Sequence, residues 1–456
     1  MGNALCPGNG LTENVVLHVT GTKGGSTMVN VKDFGAVGDG SANDTAAIQR
    51  AIDSGGIVRI PRGVYVTGTL YLKSNGGLHL EAGAVLRASH SRADYNADDF
   101  CPQNAVFSAE SVTGAHLIVA VEQENISLSG EGCIDGDALY WMTEKWGWHL
   151  KSNPERPGQM IFFAECRGVQ IRDLSLKNAS YWHLFLHGCE EVIVSGVRIS
   201  GHPLVINNDG IDIDCCRNVV VSGCLIDTAD DALNLRAGAA RLRRPKACEN
   251  IVIGNCILRS GFANAIRVGV GSGEIRNACF SNIMIREGTR TGICFVSMYN
   301  PKKSGVRCIS DLQFDNIRTD AYRPFNIKLL NSEEMPPPAG VITQRNIAFS
   351  NIFGTASATS YLIGCENGIL ENIRFKNVEF RYSGPGEAPH VDANGKWGRS
   401  SKDCAFFVKH AQHVTFDDVR IRWEGDDSGW KHELEYVDSK NVSVRNCVFE
   451  KGICQS

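Results

Sequence analysis

The pattern that decides the fold is NVVVSGCLI, residues 218–226, in which apolar and polar side chains alternate around a short turn. Related copies recur from residue 125 to the end of the chain at intervals of 23 to 43 residues. They are NISLSGEGCI from Asn125, GVQIRDLSL from Gly168, EVIVSGVRI from Glu191, NIVIGNCIL from Asn250, NACFSNIMI from Asn277, DLQFDNI from Asp311, NIAFSNI from Asn346, NIRFKNVEF from Asn372, HVTFDDVRI from His413 and NVSVRNCVF from Asn441. Such alternation is typical of strands with one buried face, and such repetition is typical of a solenoid. We therefore predict an all-β fold, a right-handed parallel β-helix of roughly ten coils.

The sequence before the repeats contains one helical pattern, NDTAAIQRAID at 43–53. We predict a short N-terminal capping helix here, with Asn43 or Asp44 as its N-cap, covering the open end of the stack. Residues 29–456 would then form a single parallel β-helix domain, and residues 1–28 an N-terminal extension or remnant.

Composition and charge exclude several classes of protein. The 456 residues are 43% hydrophobic and 21% charged, with a net charge of −4, so there is no basic field for nucleic acid. No apolar run approaches the roughly 18 residues of a membrane span. We expect no nucleic-acid or membrane partner, and a monomer or small homo-oligomer. The N-terminus, MGNALCPGNGLTENVV, shows no signal peptide, so the location is cytoplasmic as written, or periplasmic or secreted if a signal was removed.

The 17 cysteines follow the repeat. Cys166, Cys189, Cys216 and Cys248 each stand two residues before a hydrophobic triplet. This regular placement predicts stacked, reduced thiols at turns rather than disulfides or metal ligands.

Aligning the strands that precede these turns places acidic residues on one wall. One column of equivalent positions reads Trp182, Asp209, Asp231, Asn264, Thr291, and three residues further on another reads Phe185, Asp212, Asn234, Arg267, Cys294. Equivalent positions of successive coils stack about 4.8 Å apart. Asp209, Asp230 and Asp231 are therefore predicted to meet on adjacent coils.

Three neighbouring carboxylates suit the cleavage of a glycosidic bond. Like charges raise each other's pKa, so one carboxyl can stay protonated as a general acid while another, ionised, activates water. A metal site is the main alternative reading of the cluster; we predict neither a metal nor another cofactor.

Several motifs resemble one enzyme family. They are VNVKDFGAVGDGSANDTAAIQRAID at 29–53, GGIVRIPRGVYVTGTLYL at 55–72, NNDGIDI at 207–213 and ADDALNL at 229–235, with IDG at 134–136 and RPG at 156–158. Together they are similar to the polygalacturonases, glycoside hydrolase family 28, which degrade pectin, and they suggest a divergent member.

The resemblance implies catalytic roles within the 29–456 domain. Asp230 would be the general acid, and Asp209 and Asp231 would hold and deprotonate the attacking water, with inversion at the sugar. Inversion asks for roughly 6.5–9.5 Å between the acid and base carboxyls. An ideal strand points consecutive residues to opposite faces. A turn or bulge is therefore required to bring both Asp230 and Asp231 to the same cleft.

Two departures from the family bear on the substrate. The family's Gly-His-Gly is Ala263-Asn264-Ala265 here, and its Arg-Ile-Lys is replaced by Thr291-Gly292-Ile293-Cys294. We therefore expect specificity to move away from unmodified polygalacturonate. The predicted substrate-binding residues, which include two arginines for an acidic sugar and a tryptophan for stacking, are Asn208, Asn264, Arg267, Arg236, Trp182 and His183.

Our leading hypothesis is an inverting glycoside hydrolase acting on a pectic or related polysaccharide or oligosaccharide. One alternative is a lyase or epimerase on the same scaffold, which would require calcium and a basic residue near the abstracted proton. The other is a non-catalytic β-helix that only binds glycans.

Overall fold

The structure is a computed structural model that describes residues 28–104, 110–300, 305–332, 334–336, 338–384 and 401–455. All but two of their strands form one parallel sheet wound into a right-handed β-helix between Val29 and Gln455. This confirms the predicted fold class. The predicted N-terminal extension lies, apart from its last residue, outside the described residues. In the described part, no helix has the length and apolar character that a membrane crossing requires.

The strands, numbered in chain order, fall on three walls. The first wall contains β5 (Leu70–Tyr71), β8 (Ile118–Val121), β13 (Ile161–Ala164), β16 (Leu184–His187), β19 (Ile211–Asp214), β22 (Leu233–Ala237), β24 (Asn264–Gly271), β28 (Ser360–Ile363), β30 (Cys404–Lys409), β32 (His432–Val437) and β34 (Ile453–Gln455). The second contains β1 (Val29–Asn30), β3 (Ile57–Ile60), β6 (Gly76–Leu80), β9 (Glu124–Gly130), β14 (Arg167–Arg172), β17 (Glu190–Ser195), β20 (Arg217–Ser222) and β33 (Ser443–Arg445). The third contains β2 (Asp39–Asn43), β4 (Gly63–Thr67), β7 (Ala84–Ala88), β10 (Cys133–Asp135), β15 (Ser175–Lys177), β18 (Arg198–Ser200) and β21 (Leu225–Thr228).

Longer strands bend around the turns and contribute to more than one wall. They are β23 (Cys248–Ser260), β25 (Glu274–Met298), β26 (Cys308–Leu330), β27 (Ile342–Ala356), β29 (Gly368–Ser383) and β31 (Gln412–Glu424). A separate antiparallel hairpin consists of β11 (Met142–Trp146) and β12 (His149–Ser152).

The sequence repeats correspond to successive strands of the second wall. The ladder from β9 through β14, β17 and β20 onward follows the order of the repeats. It also continues towards the N-terminus through β6, β3 and β1, which are short and lie beside glycine-rich turns. The stack is therefore longer at its N-terminal end than the repeats alone indicate.

Asparagines at the repeat starts hold the turns in register. Asn218, Asn250 and Asn277 all have positive φ, the left-handed conformation that asparagine tolerates better than most residues. The side-chain amide of Asn250 donates to Asn218 (2.9 Å), and that of Asn277 donates to Asn250 (2.7 Å). Each asparagine thus supplies a turn geometry and a link between coils.

The capping helix is confirmed as α1 (Thr45–Asp53), which packs against β3 and β5 and buries one apolar face. The side chain of Asn43 accepts the backbone N–H of Thr45 (3.0 Å). The carboxylate of Asp44 instead accepts the N–H groups of Val37 and Gly38 (2.6 and 2.9 Å). Asp44 therefore ties the preceding loop to the helix.

The turn cysteines are buried between the coils. Sγ of Cys189 donates to the carbonyl of Phe163 (3.3 Å), and Sγ of Cys216 accepts the N–H of Cys189 (3.3 Å). Within the described residues, sixteen cysteines are free thiols. The four turn cysteines Cys166, Cys189, Cys216 and Cys248 are buried and fill the small space at their turns.

Candidate active site

The predicted columns lie on the first wall in the predicted register. The predicted column Phe185, Asp212, Asn234 and Arg267 pairs in register there. Beside it lies a column of core residues, Leu184, Ile211, Leu233 and Ile266. Asp209 lies two residues before β19, and Asp230 and Asp231 lie three and two residues before β22. The β-helix therefore brings all three aspartates to the same edge of the first wall.

The three carboxylates form one compact cluster. One carboxylate oxygen from each of Asp209, Asp230 and Asp231 lies within 4.8 Å of the other two. The 6.5–9.5 Å of inverting enzymes is a distance between whole carboxyl groups, whereas 4.8 Å limits the separation of one oxygen from each, so the expected spacing stays a prediction. Asp230 and Asp231 lie in a turn rather than on a strand, as the sequence required, and both carboxyls lie beside that of Asp209.

A buried asparagine shapes this turn. Oδ1 of Asn208 accepts the backbone N–H groups of Ala229 and Asp230 (2.9 and 3.0 Å). The carboxylate of Asp230 in turn accepts the N–H groups of Asn207 and Asp231 (3.1 and 2.9 Å). The backbone therefore fixes the position of the Asp230 carboxyl.

Burial decides the protonation of Asp230. Removal from water and then the neighbouring charge of Asp231 raise the pKa of Asp230 to about 7, although backbone N–H groups and Arg267 act in the opposite direction. Burial, followed by the charges of Asp230 and Asp212, also raises the pKa of Asp209 well above its ordinary value. The cluster therefore keeps protons at pH values where an exposed aspartate has lost them.

Asp231 is surrounded by groups that stabilise a negative charge. Arg267 donates from a guanidinium nitrogen to Oδ2 of Asp231 (2.9 Å), and both side chains are largely buried. Asn264 donates its backbone N–H and its side-chain amide to Oδ1 (3.0 and 2.5 Å). Of the predicted substrate-binding residues, Asn264 and Arg267 thus lie at the cluster, in contact with a predicted catalytic carboxylate.

Tyr299 is a site residue that the sequence analysis missed. The guanidinium of Arg267 lies over its ring, 4.7 Å from the centroid, and Tyr299 is 45% exposed. It follows directly after β25 in a loop, where no repeat position marks it. An exposed ring beside the carboxylates can stack on a sugar face.

Asn208 and His183, both predicted to bind substrate, are fully buried (0% exposed). Nδ1 of His183 donates to the carbonyl of Asp209 (2.9 Å), its Nε2 accepts the N–H of Ala179, and burial lowers its pKa to about 4. Neither side chain reaches the solvent. Direct contact with substrate does not fit this placement, and both side chains instead support the turn and strand ends that carry the aspartates.

Trp182 and Arg236 cover each other. The Arg236 guanidinium lies 4.3 Å from the centroid of the Trp182 ring and forms an ion pair with Asp212 (3.3 Å). Trp182 also stacks on Tyr181, with centroids 4.9 Å apart, and is only 4% exposed. The prediction that Trp182 stacks on a sugar is therefore corrected, because its ring is buried between Arg236 and Tyr181. The guanidinium of Arg236 is already paired with Asp212.

Arg156, in the RPG motif, anchors the loop beneath the cluster. Its guanidinium donates to the carbonyls of Ser180 and Ile206 (2.8 and 3.2 Å) and to Oδ1 of Asn207 (3.0 Å). Burial lowers its pKa to about 10. The RPG motif drew attention to Arg156 in the sequence, but the sequence alone did not indicate what the residue does.

The hairpin β11–β12 precedes Arg156 and carries several aromatic residues. Trp148 at its tip contacts Phe262, with ring centroids 4.3 Å apart, and Leu150 bonds to the backbone of Leu204 (2.8 Å). Because Phe262 lies two residues before Asn264, the hairpin runs along the edge of the wall that carries the aspartates. It places aromatic side chains beside the site.

Cationic side chains lie one coil beyond Thr291 and Cys294. Arg323 pairs in register with Thr291, and Lys328 pairs with Val296. Both cations lie over the ring of Tyr361, at 4.7 and 4.6 Å from its centroid. The sequence analysis compared the family's Arg-Ile-Lys only with the coil of Thr291 and Cys294, so it did not reveal these two cations on the next coil.

The aspartate cluster has the spacing of a cation site, since its oxygens could converge on one ion. The guanidinium of Arg267 already supplies positive charge at Asp231. The three carboxylates could therefore hold a water molecule and exchange protons with it, or bind a cation.

Comparison with known proteins agrees with this geometry. Residues 103–394 match glycosyl hydrolases family 28, and residues 28–133 match "Rhamnogalacturonase A/epimerase, pectate lyase-like". The latter match ends before the aspartate cluster. The family 28 match covers the cluster and most of the chain.

Individual relatives are more distant. The chain is 24% identical over 369 residues to polygalacturonase-2 of Solanum lycopersicum, covering 77% of this chain and 75% of that protein. It is 28% identical over 284 residues to exo-poly-alpha-D-galacturonosidase of Dickeya chrysanthemi, covering 51% of this chain and 46% of that protein. Its fold is similar to the family 28 exopolygalacturonase of Yersinia enterocolitica, with a TM-score of 0.67, 21% identity, and coverage of 91% and 78% of the two chains. The chain belongs to glycosyl hydrolases family 28.

Proposed function

We propose that the protein is an inverting glycosidase that hydrolyses glycosidic bonds in a pectic polysaccharide or oligosaccharide. The observation that carries the mechanism is the unequal environment of three adjacent carboxyls. Asp230 retains its proton to about pH 7, whereas Asp231 is met by a guanidinium and two N–H donors. A protonated carboxyl beside one that is held by a guanidinium and N–H donors is an arrangement that acid–base hydrolysis needs.

In this mechanism Asp230 protonates the oxygen of the leaving sugar. A water molecule held between Asp209 and Asp231 attacks the anomeric carbon from the opposite side and gives its proton to this pair. The bond to the leaving oxygen breaks as the bond to water forms, so the product has the inverted configuration. The base pair then releases its proton to solvent and Asp230 takes one up from solvent, which restores the resting state.

Substrate recognition centres on Arg267 and Tyr299. Arg267 pairs in register with Cys294, which belongs to the stretch that replaces the family's Arg-Ile-Lys, so its cation lies one coil nearer to Asp231. Its Nε is buried without a partner in the described part of the chain. The side chain as a whole is 13% exposed beside the cluster. This accessible cation supports a contact with an acidic sugar, and its displacement by one coil supports a substrate preference different from unmodified polygalacturonate.

A panel of pectic oligosaccharides tests the proposal. Sugars released by the wild-type chain and by Asp230→Asn should be separated and identified, and activity should require the Asp230 proton. Hydrolysis of none of the panel members would overturn the proposal, as would products bearing the double bond that a lyase leaves. Unchanged activity after treatment with a chelator separates hydrolysis from the calcium-dependent lyase or epimerase.

A further inference from the structure

A second buried carboxylate, Asp212, lies behind the catalytic cluster. It is on β19, three residues after Asp209, and it pairs in register with Asn234 on β22. Asp212 and Asn234 are both fully buried. The mechanism proposed above does not use either of them.

The amide of Asn234 joins Asp212 to Asp209. Its Nδ2 donates to Oδ2 of Asp209 (3.0 Å) and to Oδ1 of Asp212 (3.0 Å). The opposite orientation of the amide would place its oxygen against two carboxylates, so the nitrogen must face them. One amide group therefore uses both of its hydrogens to hold the two acids at a fixed separation.

The cations are distributed unevenly over these acids. Arg236 lies on Asp212 (3.3 Å), and Arg267 lies on Asp231 (2.9 Å). The side chain of Asp209 accepts one hydrogen bond in the described part of the chain, from the neutral amide of Asn234. Asp212 is consequently the better stabilised anion of the linked pair, and Asp209 feels its charge.

We propose that Asp212 is a positioning residue for the base: its carboxylate, held by Arg236 and linked to Asp209 through Asn234, strengthens Asp209 as a proton acceptor. This inference rests on the proposed function, in which Asp209 and Asp231 activate the water.

Several neighbouring charges also act on the pKa of Asp212. Burial, and then the charges of Asp231 and Asp214, raise the pKa of Asp212 to about 7, whereas Arg236 and the Asn234 hydrogen bond act to lower it. Asp214 is itself paired with His187 on β16 (3.0 Å). The charge of Asp212 is among the causes that raise the pKa of Asp209, after burial and Asp230.

The size of the effect follows from the separation. Because both accepting oxygens are 3.0 Å from the same nitrogen, they are at most about 6 Å apart. Two unit charges at that distance, with an effective dielectric constant of about 20, shift each other's titration by about two pH units, and delocalisation over each carboxylate reduces this to about one to two. Removing the charge of Asp212 should lower the pKa of Asp209 by that amount.

The test uses the full chain and two readouts. Carboxyl NMR of protein labelled with ¹³C-aspartate identifies the Asp209 signal by its loss in Asp209→Asn, and its titration midpoint is then compared between wild type and Asp212→Asn. The second readout is the pH–rate profile on the best pectic oligosaccharide. We expect the Asp209 midpoint and the base-controlled limb of the profile to move about one to two units to lower pH.

Two further variants complete the experiment. Asp212→Asn leaves Arg236 without its carboxylate, so the double variant Asp212→Asn with Arg236→Gln removes both charges and should still move the midpoint down, by less. Asp227→Asn removes a partly exposed acid from another wall and should leave the midpoint within about 0.2 units.

The outcomes are separable. An Asp209 midpoint that stays within about 0.3 units in both Asp212 variants would overturn the inference, whether or not the protein is active. A shifted midpoint in a chain that hydrolyses no pectic substrate would overturn the proposed function while leaving the link between Asp212 and Asp209 supported.

Discussion

Replacing Arg267 by methionine should separate recognition of an acidic sugar from support of the base. Methionine retains much of the length of the side chain but removes the guanidinium that donates to Asp231 and lies over Tyr299. Breaking a buried ion pair leaves the remaining charge uncompensated, so the folded state should lose about 3–5 kcal/mol and activity should fall on every substrate. That common loss does not depend on the substrate's charge.

The informative quantity is the additional loss on an acidic substrate. A hydrogen bond to a charged group contributes about 1.5–3 kcal/mol, which corresponds to a roughly 10- to 150-fold change in kcat/KM. We therefore expect Arg267→Met to reduce kcat/KM on a uronide oligomer by this further factor, relative to the same oligomer as its neutral methyl ester.

The assay measures kcat/KM for both oligomers with wild type, Arg267→Met and Arg267→Lys. Lysine keeps a charge but cannot donate in a fixed fork, so it should recover part of the acid-specific loss. Equal losses on the acid and the ester in Arg267→Met would refute the reasoning. Arg267 would then serve only to hold Asp231.

Three other expectations follow from the site and the fold. Asp230→Asn should reduce hydrolysis of natural oligosaccharides far more than that of an activated aryl glycoside, whose leaving group needs little protonation; equal losses on the two substrates would contradict the general-acid role. Because the pKa of Asp230 is raised to about 7, wild-type activity should fall as pH rises through about 7 and the proton is lost; a rate that stays constant to pH 9 would contradict this. Glu433 is buried and accepts the N–H groups of Lys451 and Gly452 (2.9 and 2.6 Å), so Glu433→Gln should destabilise the C-terminal coil by about 2–4 kcal/mol. Hydrogen exchange in β34 should increase in this variant but not in the control Glu450→Gln, which changes an exposed residue. Unchanged exchange in Glu433→Gln would show that the carboxylate does not anchor this end.

The columns of the first wall could be predicted because a β-helix stacks equivalent residues. Once the repeat was recognised, Asp209 and Asp231 had to lie on neighbouring coils, and the adjacent Asp230 had to reach the same edge through a turn. Asp212 and Asn234 stood in the next predicted column. Their link to Asp209 depends on side-chain rotamers, which no spacing specifies.

What covers a column could not be predicted from the repeat. Trp182 heads the aspartate column, but Arg236 and Tyr181 cover its ring. Tyr299 lies in a loop after a strand, and the hairpin with Trp148 reaches the site from an earlier coil. These positions depend on how loops pack across several coils, and such contacts leave no periodic signal in the sequence.

The anomeric configuration of the first product tests the central claim most directly. One oxygen of each carboxylate lies within 4.8 Å of the other two, and this proximity alone does not distinguish inversion from retention. Proton NMR of a pectic oligosaccharide during the first minutes of hydrolysis, before mutarotation, reports the configuration at the newly formed reducing end. The proposed direct attack of water held by Asp209 and Asp231 predicts a first product with the configuration opposite to that of the cleaved bond. A first product that retains the configuration of the cleaved bond would contradict this mechanism and indicate a covalent intermediate on one of the aspartates.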